Sequence, residues 1–404
     1  MNRRCLLKGV GSALSGVVLT SFAAPLGARA QDTITLPFAN GARPLVRYPG
    51  KRPLIQLTAR PPQLETPFSV FNESVITPND AFFVRYHLSD IPLSIDPEAF
   101  RLEVKGKVDR PLSLSLSDLI TGFEPVEIVA VHQCTGNSRG FVEPRVAGGQ
   151  LGHGAMGNAR WRGVPLKAVL DRAGVQAGSR QVTFNGLDRP VLPETPDFVK
   201  ALDVDHARDG EVMIAYAMNG EDLPWLNGFP VRLVAPGYYG TYWVKHLSEI
   251  TVIDRVFDGY WMASAYRVPD NACACTEPGQ KPSATVPASR FNVRSFITNL
   301  GDGSRVRAKA PTLVKGIAFD GGYGITDVLL SSDGGETWRE TALGADHGRY
   351  SFREWHAEVR LPAGAHELKV RAINRIRQSQ PIAPLWNPHG YSRNVVETVR
   401  VHAA

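Results

Sequence analysis

Val131-His132-Gln133-Cys134-Thr135-Gly136-Asn137-Ser138-Arg139 is the stretch on which the reading of this chain turns. It follows the apolar run Ile128-Val129-Ala130-Val131, so Cys134 lies deep in a globular region. A soft, ionisable sulfur there, with Gly136 permitting a tight turn and Arg139 close by, is what a metal–thiolate or nucleophilic site needs. The plainer reading of a lone cysteine is a small packing residue. The rest of the chain has to decide between the two.

At 404 residues the chain is too long for one ordinary core, and two domains are expected. With 38 glycines and 30 prolines it favours β structure with many turns over a helical bundle. The N-terminus reads as a targeting segment over residues 1–30. Arg3-Arg4 precedes Cys5-Leu6-Leu7-Lys8, an apolar stretch runs to Phe22, and Ala28-Arg29-Ala30 offers small residues for cleavage. A twin arginine followed by two leucines and a lysine resembles the signal of the twin-arginine route, which exports folded proteins to the periplasm. An uncleaved anchor fits less well, because Gly11, Ser12 and Ser15 break a short apolar core. The mature chain is therefore not expected to span a membrane.

Cleavage would remove Arg3, Arg4, Lys8 and Arg29 and no acid, lowering the formal charge from +6 to +2. A chain so near neutral gives no ground for nucleic-acid binding. Cys5 leaves with the signal and three cysteines remain. Exported proteins usually pair their cysteines. A disulfide between Cys273 and Cys275, one residue apart, would close a strained ring, so whether they pair stays open. Cys134 is the odd thiol, and metal ligation is one explanation for it.

Residues 31–80, with Pro44, Pro49, Pro53, Pro61, Pro62 and Pro67, are expected to lie extended over a domain surface. Ala81-Phe82-Phe83-Val84 signals a strand, and Pro165–Ala173 a short helix with apolar spacing at Leu166, Val169 and Leu170. Leu116–Leu119 signals a second helix, and Val212–Met218 a strand turning at Asn219-Gly220. Residues 276–290 read as a linker. Beyond it, strands are predicted at Thr312–Ala318, Ile325–Ser331, Arg353–Arg360 and His366–Ile373, with a turn at Asp333-Gly334-Gly335. About a hundred residues of that character suggest a β-sandwich.

Arg85 and His87 sit two apart, which on a strand puts both on one face. Arg139, Arg232, Lys245, Tyr266 and Arg267 complete a set of cationic and phenolic residues beside apolar runs. Singly each is a solvated or ion-paired side chain; together they fit a pocket for anions, since arginine forks match oxyanions.

Phe82-Phe83-Val84-Arg85-Tyr86-His87, Gln133-Cys134-Thr135-Gly136-Asn137, Phe229-Pro230-Val231-Arg232 and Trp243-Val244-Lys245 resemble, in order and spacing, the signature segments of the sulfite oxidase family. Trp261-Met262 with Ala265-Tyr266-Arg267 resembles its bacterial branch of sulfite:cytochrome c oxidoreductases (sulfite dehydrogenases). The resemblance covers roughly residues 70–404. It implies an α+β fold: a mixed α/β molybdopterin-binding domain over residues 31–278, with its extended N-terminal segment, then an immunoglobulin-like β-sandwich of the dimerisation type over residues 279–404.

The resemblance also implies a molybdenum–molybdopterin cofactor with Cys134 as the thiolate on the metal. Phe83, Val84, Arg85, Tyr86, His87, Asp188, Asn227, Arg232, Trp243, Val244 and Lys245 would hold the molybdopterin. Arg85, His87, Arg139 and Tyr266 would surround the substrate anion, and Trp161 matches a pocket residue. The implied activity is oxidation of sulfite to sulfate by oxygen-atom transfer. Electrons would pass singly to a c-type cytochrome subunit or soluble cytochrome c, since no Cys-x-x-Cys-His for haem is present. A sulfur dehydrogenase acting on protein-bound sulfane sulfur is the alternative. The chain departs from animal members at Asn227 for histidine, Tyr242 for arginine and Tyr86 for asparagine. Those departures bear on pterin contact and substrate access, not on the metal ligand.

Overall fold

Apolar residues here come in short β-branched runs punctuated by glycine and proline, and the chain accordingly folds as strands and turns. The computed structural model describes residues 32–404; the export segment expected over residues 1–30 lies outside them. No helix among the described residues is long and apolar enough to cross a membrane.

The α+β expectation is met with little helix. The longest α-helix among the described residues, Leu166–Ala173, has eight residues. It buries Leu166, Val169, Leu170 and Ala173, one face at helical spacing, and stops at Gly174, whose φ of 73° closes the last turn. The other predicted helix spans Leu116–Thr121 and begins with a capping box, Ser115 and Asp118 each bonding the other's backbone.

Two five-stranded sheets carry the middle of the chain. One runs Lys200–Asp203, Gln181–Gly186, Leu247–Ile253, Leu102–Gly106, Leu112–Leu114, with Leu247–Ile253 parallel to Leu102–Gly106. The other runs Glu221–Asp222, Met213–Met218, Met156–Pro165, Val126–Gln133, with Arg232–Val234 also paired to Met213–Met218. A shared apolar core fills the space between them, including Val104, Val164, Leu170, Phe184, Ile214 and Ile250.

Residues 32–85 are extended in part, as expected, but their strands pair with one another. They form an antiparallel sheet of Thr33–Thr35, Ala42–Val46, Leu54–Thr58, Gln63–Glu65 and Val84–Arg85. Alternating apolar residues between the prolines (Leu54, Leu64, Val84) supply a small core that closes it. The strand read at 81–84 is correspondingly shorter and later, at Val84–Arg85.

In the C-terminal half, Arg294–Ile297, Pro311–Phe319, Arg353–Arg360 and Ala342–Leu343 make one sheet. Ser304–Val306, Thr398–Ala403, Gly364–Asn374, Ile325–Ser331 and Arg339–Glu340 make the other. Val314, Trp355 and Val359 of the first share a core with Leu330, Val370 and Val401 of the second. The segment read as a linker is tied down: Thr285–Pro287 pairs with Arg267–Pro269, and the Ala288 N–H donates to the Tyr266 carbonyl at 2.8 Å. Cys273 and Cys275 are joined. Ala274, at φ 49°, turns the chain so that their Cα atoms stand 5.1 Å apart, within the ordinary span for a disulfide.

Candidate active site

Strand Val126–Gln133 runs out at the sheet end and delivers Cys134 into a turn. The Cys134 N–H donates to Ala155 O at 2.9 Å, and its carbonyl accepts from Asn137 N at 3.0 Å. Asn137 Oδ1 accepts from Ala155 N at 3.0 Å, so the loop is pinned on both flanks. Cys134 is a free, buried thiol.

Two cavities meet at that thiol, and Arg85, Cys134 and Tyr266 line both. The deeper chamber has an empty volume of about 490 Å³ and is walled also by Phe83, His87, His132, Thr135, Asp188, Phe198, Thr241, Trp243 and Lys245. The outer funnel, about 740 Å³, is walled by Arg43, Gln63, Arg139, Gln150 and the glycines Gly136, Gly148 and Gly149.

Around the chamber the cations are desolvated. Burial lowers Lys245 to about 7, with Arg232 pushing the same way. Its Nζ donates to the Arg85 carbonyl and sits 3.8 Å over the Tyr86 ring. Arg232 has no exposed surface, and burial lowers it to about 9. Its Nη1 donates to Asn227 O at 2.8 Å and Nη2 to Trp243 O at 3.1 Å. Lys200, lowered to about 7 by burial, donates to Trp261 O at 2.6 Å. Asp188 is the one acid on the described chamber wall, and burial raises its carboxyl.

His87 and Tyr266 face each other with Nε2 and the phenol oxygen 2.5 Å apart. Burial, then Arg85, Lys245 and Lys200, hold the imidazole well below its ordinary value, so it is neutral. Burial raises the Tyr266 phenol, so it keeps its proton. The His87 ring is stacked on Phe198 at 3.7 Å. Tyr266 occupies the left-handed region at φ 57°, a conformation a bulky residue adopts only where its surroundings impose it. The chamber can thus bind an anion and present to it a hydrogen-bonded pair of neutral groups.

Of the sequence-predicted residues, Phe83, Arg85, His87, Cys134, Asp188, Trp243, Lys245 and Tyr266 share the chamber wall, and Arg139 lies on the funnel. The strand ladder ends at Arg85, yet His87 still reaches the same cavity. Val84, Tyr86, Asn227, Arg232 and Val244 are buried off the wall. Tyr86 bonds His246 at 2.7 Å and carries Lys245 on its ring. Both ends of the Asn227 amide are used internally: Lys51 Nζ donates to Oδ1 at 2.6 Å, and Nδ2 donates to Phe83 O at 3.1 Å. Trp161 lies behind the wall, its ring 5.1 Å from the Arg232 guanidinium carbon.

Sequence reasoning assigned no role to His132, Thr135 and Thr241 on the chamber wall, to Lys200 behind it or to Arg43 on the funnel. His132 and Thr135 stand inside the quoted cysteine run. Lys200, a lysine between Val199 and Ala201, carried the signal of a charge in an apolar stretch.

The site suits a molybdopterin. Thr135 Oγ1, Thr241 Oγ1, His132 Nδ1 and Arg232 Nε are buried polar atoms with no partner within the described protein, on or just behind a cationic wall beside a soft sulfur. A phosphate-bearing, sulfur-ligated group answers both features.

Two family models match: an oxidoreductase molybdopterin binding domain over residues 88–261, and a Mo-co oxidoreductase dimerisation domain over residues 286–404. Human mitochondrial sulfite oxidase is 33% identical over 387 residues, covering 91% of this chain and 69% of the human protein. Sulfite oxidase of Gallus gallus is 35% identical, covering 91% and 80%. Nitrate reductase [NAD(P)H] of Hordeum vulgare is 31% identical, covering 89% and 42%. Among solved structures, the sulfane dehydrogenase SoxCD from Paracoccus pantotrophus aligns with a TM-score of 0.73 at 23% identity, over 97% of this chain and 96% of that one, a likeness of fold.

Proposed function

This chain belongs to the sulfite oxidase family of molybdopterin oxidoreductases, and on that premise we propose that it oxidises sulfite to sulfate in the periplasm. The overall change is sulfite and water to sulfate, two protons and two electrons, and the electrons leave singly to a c-type cytochrome. The observation that carries this reading is the free thiol of Cys134 where two cationic cavities meet.

In this reading Cys134 is the protein ligand to molybdenum, and the bound molybdopterin centre supplies two-electron oxygen-atom transfer. Lys245, with Arg232 behind it, faces the anionic end of the cofactor in the deep chamber. Phe83, Trp243 and His132, whose ring stacks on Trp243 at 4.6 Å, supply flat apolar surface for the pterin. Arg85 and Arg139 hold the sulfite oxygens at the junction and offset their repulsion from a negatively charged cofactor. Tyr266 donates its O–H toward the reacting oxygen, and neutral His87, in the tautomer that donates from Nε2, orients the phenol oxygen. In this reading the two C-terminal sheets, matched by the dimerisation-domain model, would be the immunoglobulin-like unit.

The test is purified exported protein assayed for molybdenum and for sulfite-dependent reduction of cytochrome c. Stoichiometric molybdenum with saturable sulfite turnover is expected; loaded protein inert to sulfite would sink the substrate. The second reading, sulfane sulfur carried on a protein, draws on the breadth of the outer funnel, about 740 Å³. Turnover with a persulfidated carrier peptide and none with free sulfite would favour it.

A further inference from the structure

Arg139 is held from the far end of the chain. Asn387 fixes a turn there: its Oδ1 accepts from His389 N at 3.3 Å and Tyr391 N at 3.1 Å, and its Nδ2 donates to Tyr391 O at 2.9 Å. From this turn the His389 carbonyl accepts from Arg139 Nε at 2.8 Å. The Tyr391 ring lies against the guanidinium, whose carbon is 4.8 Å from the ring centroid. The same ring is stacked on Tyr266, centroids 5.3 Å apart and planes 14° off parallel. Three glycines confine the rest of Arg139: a Cβ at Gly136, Gly148 or Gly390 would come within 2.9, 2.9 and 3.1 Å of its side chain.

We propose that Tyr391 is a positioning residue for the substrate anion, its ring setting the guanidinium of Arg139 and the phenol of Tyr266 against each other across the mouth of the site. A flat π face orients a guanidinium without itself needing an N–H donor, so the donors that the His389 and Gly149 carbonyls do not use stay available to an oxyanion. Stacking fixes the second ring by the same contact. The C-terminal half thereby supplies part of the substrate pocket. The Tyr391 hydroxyl is also within hydrogen-bonding reach of Arg139, but the positioning is assigned to the ring, which touches both Arg139 and Tyr266. The inference rests on the sulfite reading above.

The test compares Tyr391→Phe with Tyr391→Leu in molybdenum-loaded protein, reading KM and kcat for sulfite and, separately, equilibrium binding of sulfate by calorimetry. Tyr391→Leu should raise KM and the sulfate Kd together by roughly 3- to 30-fold, the span of a partly desolvated cation–π contact, with kcat less affected. Tyr391→Phe should stay within about twofold of the parent, since the ring contact is kept. A Leu variant with parental KM and Kd overturns the proposal, as does a Phe variant as impaired as Leu. If Tyr391→Leu loses molybdenum or melts early, Tyr391→Met fills the space without a π face and is judged by the same outcomes. Failure of the sulfite reading looks different: the parent itself would not turn over sulfite.

Discussion

Lys245 and Arg232, around the deep chamber, are cations stripped of water, whereas Arg139 in the outer funnel lends Nε and Nη1 to the carbonyls of His389 and Gly149. The difference follows what each cavity has to do. A desolvated cation binds an anion hard, because nothing screens the charge, and that suits a cofactor bound once. Arg139 is also buried, but it lines the wider outer cavity, which suits an anion that enters and leaves with each turnover.

The largest expected effect is at the point the two cavities share. Cys134→Ser should cut sulfite turnover by more than the roughly 10–100-fold that loss of a group merely supporting a metal ligand costs, with both cationic walls intact. Near-parental turnover at full molybdenum content would remove Cys134 as the ligand. Arg85→Gln, also at the junction, should weaken sulfite by about 2–5 kcal/mol, the cost of truncating one partner of a desolvated charge pair. A KM unchanged in steady-state kinetics would move the anion out of reach of Arg85.

Lys245→Met separates the cavities. Molybdopterin retained per chain, measured as the metal-to-protein ratio, should fall about tenfold, the scale of one lost charge-assisted contact. KM for sulfite in the loaded fraction should hold. The reverse pattern would break the division between chamber and funnel. The same lysine predicts a pH dependence in cofactor-free protein. Burial holds its folded value near 7, below the ordinary 10.5, so the unfolded chain binds the extra proton between those limits. Stability should therefore rise as pH climbs from about 7 towards 10.5, and urea unfolding of Lys245→Met should show a smaller rise. The smallest effect belongs to the funnel. Gly148, at φ 105°, would place a Cβ 2.9 Å from Arg139 Nη1. Gly148→Ala should cost about 1–3 kcal/mol of stability by denaturant titration, the range for a strained backbone, with a few-fold rise in KM as Arg139 shifts.

The helix at Leu166–Ala173 was legible because its apolar spacing and Gly174 are local. The strands Ile325–Ser331 and Arg353–Arg360 were legible for the same reason, coming between turn signals. The N-terminal sheet was not, since prolines hide a pattern that closes only when Leu54, Leu64 and Val84 meet. At the site, residues within one signature segment were found together. Val84 and Tyr86 in those segments turn away from the wall, because alternate residues of an extended chain face opposite sides. Lys51 clasps Asn227 across 176 residues and bore no local mark at all.

By itself the sequence determined the chemistry on offer: a cysteine behind an apolar run, and arginines, lysine, histidine and tyrosine suited to an anion. Only the tertiary structure decided that Arg85, Cys134 and Tyr266 would join two cavities, and that a turn 250 residues beyond Arg139 would hold it. The first is a property of side chains and survives in any order of reading. The second depends on how sheets pack and where loops return, and long-range packing leaves no period in the sequence to read.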